Sequence, residues 1–565
     1  MNKKVLVIGF DGATFDLIKP WVRAGKLPTF EKIMKEGAYG ELESTIHPMS
    51  SIAWPSFMTG MNPGKHGLFD VTEQLPGSYE IRFTSGASRC GKTVWRLLSD
   101  AGKSAGVINV PMTYPPEEVN GYLIAGMDAP GMDSNFIYPK ALWAEIKEHV
   151  GGYCIEHGNP MSNRSLGEFE QDVKQAMEQR YAAFKYLREH HPTDLLVCVF
   201  VATDRVHHFF WKHMEEQAQS GVGTAPSRFG NVILDIYQRC DGILKEIIDS
   251  LDDDTVLLIM SDHGAGPLRK LVNLNAWLNS QGLLRMKDQR DGHGHLLADL
   301  KQSPFKVARV GWRILKRYLP DRYKSLLNKL LPTTKDRLAT YLFLSRIDWA
   351  ATKAYSIGYF GDIRINVKGR EPNGIVDPGS EYEELREELV AKLEALRDPD
   401  TGGRMVDKVY KREELYHGDH VHKASDLIIK WQDYEYKSRI NLEVDDKVSA
   451  SQIMIDPATD SKVSSIHRMN GIFMAFGKDV KQGVEIKGAR IIDLAPTMLY
   501  FLGEPVPDSM DGEVLTRAFE ESIFDQTPIR YRKGEEGDLS PQESPYTDEE
   551  AEQIKDRLQG LGYID

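Results

Sequence analysis

Cysteine is scarce: Cys90, Cys154, Cys198 and Cys240 are the four in a chain of 565 residues, and none sits in a C-x-x-C spacing. That excludes a disulfide-stapled scaffold or a cysteine-rich zinc module, and it fits reduced thiols in a cytoplasmic protein. Long apolar runs are missing too. The N-terminal run from Val5 to Phe10 is ended by Asp11, too early for a signal sequence. No later stretch approaches the roughly eighteen apolar residues of a membrane span. Positive charge is not in surplus: the formal net charge is -13, which gives no general affinity for nucleic acid or anionic lipid and requires any anion site to be local. No repeat of solenoid period occurs.

What is present is ordinary globular composition, 41% hydrophobic and 27% charged. Short apolar runs recur at Val5 to Phe10, Ser104 to Val110, Asp194 to Val201, Val256 to Met260, Asp426 to Trp431 and Gly471 to Phe476. They alternate with helix-like segments such as Glu168 to Glu189 and Glu381 to Arg397, which predicts a doubly wound, largely parallel α/β sheet. From Lys301 to Arg337 the composition turns basic, eleven Lys and Arg facing only Asp321 and Asp336. With Val310, Trp312, Ile314, Leu315, Tyr318 and Leu319 available for packing, a helical lid is expected there. The expected organisation is a catalytic core in two parts, 1–284 and 347–519, a basic lid over 285–346, and a tail over 520–565 with a short surface helix from Glu549 to Leu558.

Four places put metal-ligand side chains next to an expected strand, where open α/β sheets collect ligands. Asp11 ends the first strand, with Gly12 to turn the chain. Asp204 follows the strand ending at Val201, and in a helix starting there His208 lies one turn on, sharing a face with it, while His207 points elsewhere. Asp262, His263 and Gly264 follow five apolar residues. His467 stands just before the strand at Gly471. Each has a plainer reading as a helix cap or a core histidine. Together, three carboxylates and three imidazoles form a mixed oxygen and nitrogen set that suits zinc, with manganese the alternative, and six ligands are right for two cations roughly 3.5–4 Å apart.

The nucleophile is expected in the hydroxyl-rich segment Thr45 to Gly67. Its pattern Ser50-x-x-Ala53-Trp54, then Thr59-Gly60-x-x-Pro63-x-x-His66-Gly67, resembles the nucleophile motif of the type I phosphodiesterase and nucleotide pyrophosphatase family within the alkaline phosphatase superfamily. The resemblance runs from Asp11 past Asp493-Leu494-Ala495-Pro496-Thr497 to Met510-Asp511-Gly512, with the elements in the family's order. It implies a two-metal phosphoric ester hydrolase in which Ser50 is nucleophile and forms a phosphoserine. It further implies that one metal takes Asp204, His208 and His467, and the other Asp11, Asp262, His263 and the Ser50 oxygen. The family's phosphoryl-binding asparagine after the His-Gly element is replaced here by Val71, so Arg205, Lys65 or a lid residue is expected to take that part. The Asp204-Arg205-Val206-x-His208-Phe209-Phe210-Trp211 style is closer to the prokaryotic phosphohydrolase or phosphomutase branch. A phosphate-ester small molecule, with a nucleotide or other bulky anion among the candidates, is the implied substrate; a phosphomutase and a non-catalytic metal-binding scaffold are the alternatives.

Overall fold

A computed structural model describes residues 3–156, 165–219, 227–287, 344, 346–358, 360–438, 453–457, 463–534 and 544–560. The basic lid expected over 285–346 lies outside these residues apart from its two ends.

Every residue of β1 (Lys4–Phe10) after Lys4 is buried. A continuous apolar run survives only where both faces of a strand are covered, so the chain's first strand is a central one. Its neighbours are β6 (Leu195–Phe200) on one side and β7 (Thr255–Met260) on the other, both parallel to it. Beyond β6 follow β3 (Ala105–Val110) and β4 (Gly121–Ala125), also parallel, and the short reversed β5 (Ile137–Tyr138). Beyond β7 come β10 (Asn470–Phe476), which is antiparallel, then β2 (Ala38–Glu43) and β11 (Val484–Glu485). The result is a ten-stranded sheet in the order β11-β2-β10-β7-β1-β6-β3-β4-β5, with Ala489–Arg490 also pairing β2. It is a mixed α/β fold with a large, mostly parallel sheet.

The antiparallel sense of β10 decides where its flanking residues go. Because β10 enters the sheet beside the carboxyl end of β7, with Phe473 opposite Met260, the residues just ahead of it reach the same edge that β1, β6 and β7 leave. There β9 (Ser465–Arg468) pairs antiparallel with β8 (Gly264–Pro267), placing His467 opposite Ala265.

The run at Leu427–Trp431 is not part of this sheet, contrary to the sequence reading. It belongs to a four-stranded antiparallel sheet ordered Ala354–Ser356, Ile363–Ile365, Leu427–Trp431, Val406–Lys411. The physical reason is that an apolar run flanked on both sides reads the same in either sheet. This second sheet has its own hydrophobic core, to which the helix Ser380–Glu394 contributes Leu385, Leu389 and Leu393 at four-residue spacing.

Candidate metal centre

Each turn at the sheet edge delivers its side chain for a local reason. Gly12, after β1, has a φ of 69° and lies so close to Asp204 that a Cβ there would sit 3.2 Å from its Oδ1; only glycine meets both demands. After β6 the chain enters α2 (Ala202–Gln219) at once, putting Asp204 and His208 one turn apart, with Asp204 Oδ1 3.3 Å from His208 Nε2. His207 turns away to the Tyr237 hydroxyl, 3.1 Å off, and burial pushes its pKa down to about 3. Ser50 opens α1 (Ser50–Thr59), all ten residues of which are buried.

Six side chains gather into two triads. Asp204, His208 and His467 form one, and Asp11, Asp262 and His263 the other; within each triad the ligand atoms lie within 4.8 Å of one another. The triads touch, since the rings of His263 and His467 stack with centroids 3.6 Å apart. Ser50 Oγ is 3.2 Å from His263 Nε2.

The three imidazoles are oriented alike. His208 Nδ1 lies 3.2 Å from the Ser465 carbonyl, His263 Nδ1 2.9 Å from the Gly264 carbonyl, and His467 Nδ1 2.8 Å from the Pro48 carbonyl. A carbonyl only accepts, so each neutral ring carries its hydrogen on Nδ1 and turns the Nε2 lone pair into the cluster. His208 and His467 Nε2 then face each other at 3.2 Å beside Asp204 Oδ1. In the other triad His263 Nε2 lies 3.6 Å from Asp11 Oδ1 and 3.4 Å from Asp262 Oδ2, two buried oxygens that accept no hydrogen bond. Lone pairs converging in a buried space need positive charge among them, and the mixed oxygen and nitrogen set fits a divalent transition metal.

Electrostatics agrees. Burial first, then the charges of Asp262 and Asp204, holds the Asp11 carboxyl well above its ordinary range. Burial also raises Asp262 to about 7, although a hydrogen bond from Ser50 pulls the other way. Burial, followed by the nearby His263, lowers His467 to about 3. Cations would reverse the two carboxyl shifts and reinforce the imidazole one, favouring ionised carboxylates and neutral imidazoles together.

The two expected substrate-binding cations lie differently. Arg205 is buried beside the first triad, its Nη1 2.6 Å from Asp204 Oδ2 and its Nε 3.0 Å from Glu156. It holds one oxygen of Asp204 and leaves the other to the histidines. Lys65 is bound instead by Asp511, at 2.5 Å, and by the Ser509 carbonyl, at 2.9 Å. Val71 is buried in an apolar cluster with Met49, Ile52 and Phe360. Trp54, whose indole donates to Asp11 Oδ2 at 3.3 Å, is a contributor that residue chemistry alone does not reveal; its only signal is its place in the serine motif.

The chain thus presents a mostly parallel sheet with acidic and imidazole side chains gathered at one edge. The family model for type I phosphodiesterase / nucleotide pyrophosphatase matches residues 5–445, and the chain belongs to that family. Solved structures similar to it include human ectonucleotide pyrophosphatase / phosphodiesterase 5, 14% identical over 91% of this chain and 98% of that one, with a TM-score of 0.47. The murine counterpart is 13% identical over 92% and 100%, TM-score 0.47, and an inactive form of it in complex with AMP is 14% identical over 89% and 96%, TM-score 0.46. No curated protein matches the chain.

Proposed function

We propose that the protein is a metal-dependent phosphohydrolase that cleaves a phosphate mono- or diester through a phosphoserine on Ser50. The observation that carries this reading is the convergence of two touching acid and imidazole triads on one sheet edge, with the Ser50 hydroxyl against the second. In this reading Asp204, His208 and His467 hold one divalent cation, and Asp11, Asp262, His263 and Ser50 Oγ the other. Zinc is proposed, with manganese the alternative; bound there, the cations supply positive charge that favours a serine alkoxide and neutralises phosphoryl oxygens.

Ser50 gives up its hydroxyl proton to solvent as Oγ forms a bond to phosphorus in line with the bond that breaks to the leaving oxygen, and that leaving oxygen takes up a proton from solvent. Water then adds to phosphorus as the P–Oγ bond breaks, returning a proton to Ser50. Its place at the first turn of a ten-residue helix directs backbone amides toward the anion. Arg205 fixes Asp204 from behind. The four cysteines, all free thiols, suit a proposed cytoplasmic location, and among the described residues no helix is long and apolar enough to cross a membrane.

The test uses p-nitrophenyl phosphate and bis-p-nitrophenyl phosphate with metal-stripped protein resupplied with zinc, manganese or magnesium. Turnover should return with metal, and Ser50→Ala should lower it by about 10³-fold or more while two metals per chain are retained. A folded, metal-loaded Ser50→Ala protein with normal turnover would rule this reading out.

A further inference from the structure

Between Thr45 and Met49 the chain approaches the nucleophile, and several of its tethers come from segments that flank the strands of the second sheet. The Ile46 carbonyl accepts a hydrogen bond from the Tyr416 hydroxyl. His47, three residues ahead of Ser50 and 2% exposed, places its Nε2 2.7 Å from Asp362 Oδ1. Its ring lies stacked on Phe360 at 5.2 Å and 19°, and edge-on to Tyr434 at 6.1 Å. Asp362 immediately precedes the strand Ile363–Ile365 of the antiparallel sheet, so this contact runs from the second sheet straight to the nucleophile's approach. On the other side the Pro48 carbonyl receives His467 Nδ1 at 2.8 Å.

We propose that His47 and Asp362 are a positioning pair through which the second sheet fixes the placement of Ser50; this rests on the reading of Ser50 as nucleophile. Phe360 and Tyr434 fix the plane of the imidazole, and packing alone leaves it free to slide within that plane. The hydrogen bond to Asp362 removes this freedom, because it has one direction and one length. Residues 46–49 are then set in register with Ser50 at the start of α1, where a displacement of about 1 Å from in-line geometry costs on the order of 10²-fold in rate. A buried polar pair among aromatic rings gains little stability over an apolar pair of the same shape, so direction is what it contributes. Neither residue touches the reacting atoms, and their effect passes through the backbone.

The experiment measures kcat, KM, bound metal and melting temperature with bis-p-nitrophenyl phosphate on metal-loaded full-length protein. Asp362→Ala should lower kcat by about 30–100-fold with KM within about twofold and metal content unchanged. Asp362→Asn, which keeps an accepting oxygen, should recover to within about threefold of the parent, and His47→Ala/Asp362→Ala should be no worse than the poorer single variant. Unchanged kcat in Asp362→Ala, a loss that tracks loss of metal, or single losses that multiply in the double variant would each overturn the proposal. If Asp362→Ala does not fold, Asp362→Glu carries the test by displacing the carboxylate: a kcat loss of about tenfold at constant KM supports the pair, and parental kcat overturns it. Ser50→Ala, assayed alongside, separates the two readings: if it is active the nucleophile assignment falls, and if it is inactive while Asp362→Ala is unimpaired only the positioning pair falls.

Discussion

At the scale of single residues, the centre is a problem of charge in a dry place. Asp262 is fully buried and its carboxyl sits near 7, against an ordinary value near 3.8. Below the ordinary value the folded and unfolded chains are both protonated, and the contribution to stability is complete. As pH rises toward 7 the unfolded chain gives up its proton while the folded one keeps it, so metal-free protein loses stability. Asparagine has no such proton to lose. Metal-stripped Asp262→Asn should therefore melt above the metal-stripped parent at pH 8 and alongside it at pH 4, and added zinc should reverse the order at pH 8; thermal unfolding at the two pH values checks this. The residue types were legible in the sequence, because a carboxylate and an imidazole straight after an apolar run have little structural purpose. Their orientation was not: the three Nδ1 contacts are with carbonyls of Ser465, Gly264 and Pro48, atoms every residue possesses and no side chain pattern announces.

Among elements, the site is a property of strand ends. The runs that become β1, β3, β6 and β7 stand out in the sequence because central parallel strands are apolar throughout. By contrast β2, with Ala38, Gly40 and Leu42 buried in alternation, carries too little hydrophobicity to be picked out, and Leu427–Trp431 is conspicuous but belongs to the other sheet. The turn after β1 makes an element-level test. Gly12→Ala places a side chain on a φ of 69° and a Cβ 3.2 Å from Asp204, which should cost about 1–3 kcal/mol. Because the strain falls on Asp204, proposed above as a metal ligand, affinity for a divalent cation should drop by roughly tenfold or more, as for other changes that disturb ligand orientation; metal titration followed by calorimetry reads it.

Taken as a whole molecule, the protein closes its site with parts far apart in the chain. The helix Asp548–Gly560 sends Ile554 and Leu558 into the apolar cluster that contains Met49, Ile52 and Val71. Arg557 on the same helix donates to the Met127 and Pro130 carbonyls at 3.0 and 2.7 Å. Ile554→Ala should destabilise the protein by about 2–5 kcal/mol, the cost of a buried large-to-small change, as measured by denaturant unfolding. A helix is there as expected, but it is not a surface one: Ala551, Ile554 and Leu558 are buried, and its packing beside α1 came only with the fold. The sequence by itself determined the acidic and imidazole residues of the two triads, their order, the apolar strands that carry them and the family, since these depend on chemistry and periodicity along the chain. Tertiary structure alone decided that His467 reaches the edge through a reversed strand, that Lys65 is bound by Asp511, and that a second sheet grips the approach to Ser50. Those depend on strand direction and on contacts hundreds of residues apart, which are fixed by the packing of the whole core and leave no local mark.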